Sequence, residues 1–112
     1  MFEWSGKLYM DDKVRKNPAK YKKLAESGKL LRHCYLITLP MNEKNCMDIY
    51  STREFWFQYY QKRTLKVIGI ASSRDSAEEL ICEMVRDIYA VYRDIGKKEV
   101  SDYFSGVTKT TA

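Results

Sequence analysis

Leu65-Lys66-Val67-Ile68-Gly69-Ile70-Ala71, followed directly by Ser72-Ser73-Arg74-Asp75-Ser76-Ala77-Glu78, is the stretch whose reading decides the fold. The first seven residues are nearly continuous in apolar character and rich in β-branched side chains. That is the pattern of a strand covered on both faces. After the polar turn, Ala77, Leu80, Ile81, Met84, Val85, Ile88 and Tyr92 recur at helical spacing, with Glu79, Glu83, Arg86 and Arg93 opposite them. A buried strand therefore runs through a tight turn into an amphipathic helix over 76–93. Asp75-Ser76-Ala77-Glu78 reads as its capping-box start and Gly96 as its stop. Gly69 marks a point where the strand backbone can be approached closely.

Upstream, Ser51-Thr52-Arg53-Glu54 is a further capping box, opening a helix to about Lys62. Its five aromatics, Phe55, Trp56, Phe57, Tyr59 and Tyr60, spread over roughly 200° of the circumference at about 100° per residue. Before it, the run Cys34-Tyr35-Leu36-Ile37-Thr38-Leu39 within Leu30–Leu39, stopped by Pro40, reads as a second strand covered on both faces. Asn17-Pro18 is a helix start, with Asn at the cap and Pro at the first helical position. Gly28 is placed to end that helix. Its Tyr21, Leu24 and Ala25 share one face, and Lys20, Lys22 and Lys23 lie on the other. Leu8-Tyr9-Met10 reads as a short strand, residues 42–50 as one helical turn or a short strand, and Val100–Phe104 as a turn returning Tyr103 and Phe104 to the core.

The order α-β-α-β-α with a leading strand predicts the α/β class. The expected architecture is a small mixed or parallel sheet built on a central βαβ unit with flanking helices. Its two central strands are expected to be parallel and its crossover right-handed. One domain over 1–104 and a polar tail over 105–112 fit a length of 112 residues. An apolar content of 45% separates the chain from disordered sequences.

No run reaches the roughly 18 apolar residues of a membrane span, and Met1–Gly6 does not resemble a secretion leader. The expected compartment is the cytoplasm. The three cysteines, Cys34, Cys46 and Cys82, are widely spaced without a CxxC, and His33 is the only histidine. Buried free thiols are expected, with no metal site and no cofactor. His33 and Cys34 are adjacent, so in a strand they face opposite ways and form no catalytic dyad. The acids Asp11-Asp12, Glu78-Glu79 and Asp48 suggest no paired-carboxylate chemistry; Glu78 and Glu79 suit a helix's first turn. Asp11-Asp12 precede the basic segment and are expected to pair with it.

The net charge of +5 has a location. Residues 11–33 hold eight basic side chains against three acids, and the remainder carries twelve of each sign. Lys13, Arg15, Lys16, Lys20, Lys22, Lys23, Lys29 and Arg32 are thus candidate polyanion-binding residues, with Tyr9, Tyr21 and Tyr35 near enough to stack on bases. The ordinary reading of the same segment is a solvated helix face. Ser72, Ser73, Arg74 and Ser76 form a candidate anion-binding turn, because ligands of open α/β sheets sit beyond the carboxyl ends of strands and helix N-termini attract anions. Parallel central strands would bring Pro40-Met41-Asn42 to the same edge. The ordinary alternative is that these serines only cap.

An aromatic helix on a thin sheet needs a cover, which makes Phe55, Trp56, Tyr59 and Tyr60 candidate interface residues. The leading expectation is a non-enzymatic interaction or regulatory module that self-associates, most simply as a homodimer. The alternatives are a nucleic-acid-binding accessory protein using 13–32, and a small anionic-ligand binder or enzyme at 72–76.

Overall fold

The computed structural model describes residues 2–27, 34–39, 47–51 and 65–105. Within them lie strands β1 (Phe2–Met10), β2 (Tyr35–Thr38), β3 (Asp48–Ser51) and β4 (Leu65–Ala71). The helices are α1 (Asp12–Arg15), α2 (Pro18–Ser27), α3 (Arg74–Tyr92) and α4 (Lys97–Ser105). The strands form one mixed sheet in the order β1-β4-β2-β3. Helices cover both of its faces, which makes this a small α/β domain. None of the described helices is long and apolar enough to cross a membrane.

The central pair departs from the sequence expectation. Strands β2 and β4 are antiparallel, with Leu36 opposite Ile70 and Ile37 opposite Gly69. The parallel partner of β4 is instead β1, with Trp4 opposite Val67 and Tyr9 opposite Gly69. An apolar run reports only that both faces are covered, and helices on both sides of a mixed sheet cover them equally well. Antiparallel pairing also sends the end of β2 to the edge opposite Ser72. Pro40-Met41-Asn42 themselves lie outside the described residues.

Strand β1 is nine residues long and contains an irregularity between Trp4 and Tyr9. Ser5 accounts for it. Its buried Oγ accepts the Lys7 N–H at 3.2 Å and donates to the Phe104 carbonyl at 3.3 Å, tying the distortion to α4.

The core has two halves, one on each sheet face. Ile37, Ile68 and Ala71 meet Ala77, Leu80, Met84 and Ile88 of α3 and Val100 and Phe104 of α4. On the other face Leu36, Val67, Ile70 and Cys34 meet Val14 of α1, with Trp4, Leu8, Met10, Tyr21 and Tyr50 packed around them. Gly69 is crowded by neighbouring side chains: a Cβ there would lie 2.8 Å from Met84 Cε and 3.0 Å from Ile37 Cδ1.

The helix ends also differ in detail from the sequence reading. Helix α3 starts at Arg74, because Ser73 is extended and its Oγ accepts the Ser76 N–H at 3.1 Å. Asp75 therefore lies in the first turn rather than at the cap. The helix stops at Arg93, which adopts the left-handed conformation at φ 59° and donates its N–H to the Tyr89 carbonyl at 2.8 Å. Gly96 begins α4 instead: it accepts from the Val100 N–H, and its own N–H goes to Glu99 Oε1 at 3.0 Å. Asn17 caps α2 as expected, its Oδ1 accepting the Lys20 N–H at 3.3 Å. Residues 48–51 resolve as strand, and Phe104 reaches the core while Tyr103 stays partly exposed. The aromatic run 55–60, Cys46 and the segment 106–112 lie outside the described residues.

Candidate functional site

The parallel pair brings the carboxyl ends of β1 and β4 side by side, so Asp11 meets Ser72. Asp11 Oδ2 accepts both the Ser72 N–H and the Ser72 Oγ, each at 2.7 Å. Its Oδ1 accepts the Val14 N–H at 2.8 Å and caps α1. Partial burial alone would push the Asp11 pKa up. The donors from Ser72, Val14 and Ser76 outweigh it and hold the carboxyl below its ordinary value.

This contact decides what the Ser72–Ser76 turn has to offer. The donors an anion would use on Ser72 already hold a carboxylate of the same chain. Ser73 caps α3, and the Ser73 and Ser76 hydroxyls lie 3.1 Å apart. Arg74 pairs with Glu78 at 3.6 Å. An open cleft of about 590 Å³ adjoins the turn, and its walls mix Lys13, Arg15 and Arg86 with Asp12, Glu79 and Glu83. Charges of both signs at such range largely offset each other.

The nucleophile candidates are similarly quiet. Cys34 is buried, and burial, followed by the charge of Asp11, pushes its thiol up to about 11. It therefore stays protonated at neutral pH and is a poor nucleophile. Cys82 is exposed on α3, contrary to the expectation that the thiols are buried. His33 lies outside the described residues.

On the far side of β1, Tyr9 donates to Asp87 Oδ2 at 2.5 Å and shares a 2.9 Å hydrogen bond with Tyr103. Burial and the Asp87 carboxylate raise the Tyr9 pKa well above the ordinary phenol value. Lys7 Nζ stands 4.0 Å over the Tyr103 ring. These contacts join β1 to α3 and α4.

The basic segment has a different character. Helices α1 and α2 follow one another on the sheet face that holds Leu36, Val67 and Ile70. Val14 and Tyr21 are their anchors in that half of the core. Lys13, Arg15, Lys16, Lys20 and Lys23 are exposed, and Lys22 is partly buried with its Nζ 5.5 Å over the Trp4 ring. Arg15 is held locally: Nη2 donates to the Met10 carbonyl at 2.9 Å, and Nη1 lies 3.7 Å from Asp12. Asp12 is the only acid among residues 12–23.

The structure thus brings six of the eight candidate polyanion residues onto two consecutive helices and the turn between them, where Lys16 lies. Lys29 and Arg32 lie outside the described residues, as do the candidate interface residues Phe55, Trp56, Tyr59 and Tyr60. Sequence reasoning missed Asp11 as the partner of Ser72 and Trp4 as the neighbour of Lys22. Half of the Asp11 signal was local, since Asp is a preferred helix cap. The other half, like the Trp4 contact, depends on how β1 joins the sheet. Searches against protein-family models, curated proteins and solved structures find no match to this chain.

Proposed function

We propose that the protein is a non-enzymatic binding module whose α1–α2 surface takes up a polyanion, with nucleic acid as the ligand class. The observation that carries this reading is the run of exposed cations on two consecutive helices, whose own acids are Asp12 and Glu26. Lys13 and Arg15 border the mixed-charge cleft. Lys16, Lys20 and Lys23 are exposed and do not border that cleft.

Charge separation across the sheet supports the same reading. Helix α3, on the other face, carries Asp75, Glu78, Glu79, Glu83 and Asp87 against Arg74 and Arg86. A polyanion approaching this molecule is steered with the α1–α2 side forward. Lysine suits such a role as a point charge for phosphates, without the planar fork that reads base edges. The commitment of Ser72 to Asp11 and of Ser73 to capping weighs against the alternative at the turn.

The test is the double variant Lys20→Glu/Lys23→Glu. Both side chains are exposed, so the fold should persist, with a melting temperature close to that of the parent. Binding of a labelled oligonucleotide at about 50 mM salt should weaken at least tenfold, on the order of two reversed phosphate contacts. Unchanged affinity in a folded double variant removes the reading.

A further inference from the structure

We infer that the cleft beyond the carboxyl ends of β1 and β4 is a second, small-molecule site, and that its ligand is an α-amino acid with an aliphatic side chain. The inference goes beyond the polyanion reading and stands apart from Lys20 and Lys23, on which that reading is tested.

The topology makes the cleft. Strands β1 and β4 are parallel neighbours. From β1 the chain turns into α1, whose Val14 packs on the sheet face of Leu36, Val67 and Ile70. From β4 it turns into α3, whose Ala77, Leu80, Met84 and Ile88 pack on the opposite face. Neighbouring strands whose connections part in this way leave a crevice beyond their carboxyl ends, and open α/β sheets hold their ligands there. The crevice measures about 590 Å³ and is lined from both arms, by the β1–α1 connection on one side and by α3 on the other. That volume is ordinary for a small-molecule site.

The lining selects the ligand. Glu79, Glu83 and Arg86 stand on the α3 wall, with Asp12, Lys13 and Arg15 on the α1 wall. Arg15 lies 3.7 Å from Asp12 on its own helix. Among the described residues, Lys13, Glu79, Glu83 and Arg86 form no ion pair, and no ion pair joins the two walls. A ligand of one sign meets repulsion here as well as attraction, whereas a ligand carrying both signs matches the lining. Glu79 and Glu83 are one turn apart, a like-charge placement that weakens a helix. A ligand ammonium beside them relieves that repulsion. Glu83 and Arg86 are surface neighbours, at a spacing that sets Cβ atoms roughly 5–6 Å apart. One α-amino acid can therefore give its ammonium to Glu83 and its carboxylate to Arg86. Met10, Leu80 and Cys82 supply the apolar part of the lining, against which an aliphatic side chain packs. Asp11 and Ser72 already hold each other and take no part.

The experiment follows backbone amide chemical shifts of the isotope-labelled full-length chain. L-leucine and L-methionine are each added to about 10 mM, enough to saturate a site with a Kd of about 1 mM or below. The shifts should saturate and centre on residues 10–15 and 72–86. Leucinamide lacks the carboxylate and isocaproate lacks the ammonium, so each should bind roughly tenfold or more weaker than leucine. Arg86→Gln should weaken leucine by a similar factor and leave leucinamide unchanged. Glu83→Gln should weaken leucine but not isocaproate. Both side chains are exposed, so the melting temperatures should stay close to that of the parent.

Absence of saturable shifts with both amino acids overturns the inference, as do shifts centred elsewhere on the molecule. Equal binding of leucine, leucinamide and isocaproate overturns it too, because the lining then does not read both charges. Unchanged leucine affinity in folded Arg86→Gln and Glu83→Gln has the same meaning. None of these results bears on oligonucleotide binding, so the two readings stand or fall separately.

Discussion

Asp11 joins two parts of the chain 61 residues apart through its two carboxylate oxygens, one capping α1 and one held by Ser72. An asparagine has one acceptor oxygen in place of two, so Asp11→Asn keeps one contact and breaks the other. The loss should be about 1–3 kcal/mol, the range for a cap or a charge-assisted hydrogen bond left unmade. For a domain of this size the melting temperature then falls by roughly 4–13 °C at neutral pH. The acid limb gives a second reading of the same contact. The folded Asp11 carboxyl is held below its unfolded value of about 3.9. Its contribution is therefore complete above that value and is lost as pH falls through the folded pKa. The gap between parent and variant should close as pH is lowered from about 5 to about 2. A gap constant over that range would show that charge plays no part. Neither half was read from the sequence, where Asp11 was expected to pair with the basic segment. Cap preference for Asp is a local signal that could have found the first half, whereas the Ser72 half follows from the parallel register of β1 with β4.

Strand β4 and helix α3 show what periodicity specifies and where it stops. The apolar stripe named the buried residues correctly: Ala77, Leu80, Met84 and Ile88 are all in the core. The ends went to the residues with suitable backbone geometry. Ser73 is extended and caps, and Arg93 accepts the left-handed conformation that glycine more often fills. Gly96 was free to start the next helix because Arg93 had already ended this one.

At the level of packing, Gly69 sets the distance between α3 and the sheet, as its place in an apolar strand suggested. Replacing it by alanine asks the Met84 and Ile37 side-chain ends to give way. Replacing it by valine adds two methyl groups where there is no room for them, and should destabilise by about 1–3 kcal/mol. Chemical denaturation of Gly69→Ala and Gly69→Val checks this. Equal stability of the valine variant and the parent would mean that Gly69 does not limit the approach of α3. Strand pairing, by contrast, was not legible. The apolar runs of β2 and β4 look alike whether the two strands run together or opposed, and the register of β1 lies in a distortion held by Ser5.

Across the whole molecule, the sheet separates a basic layer from a layer dominated by the acids of α3. The sequence carried that asymmetry in its charge distribution, since the excess positive charge falls within residues 11–33. It could not show that Trp4 would stand beneath Lys22, or that the serine turn would be filled by the chain's own carboxylate. Both are consequences of β1 lying next to β4. The central claim concerns the basic layer, and the salt dependence of oligonucleotide binding tests it most directly. Fluorescence anisotropy at about 50 and 200 mM salt should show affinity falling roughly 10²–10³-fold if four to six phosphates are engaged. No binding at the lower salt, or binding that does not change between the two conditions, would contradict the account and leave α1 and α2 as a solvated face.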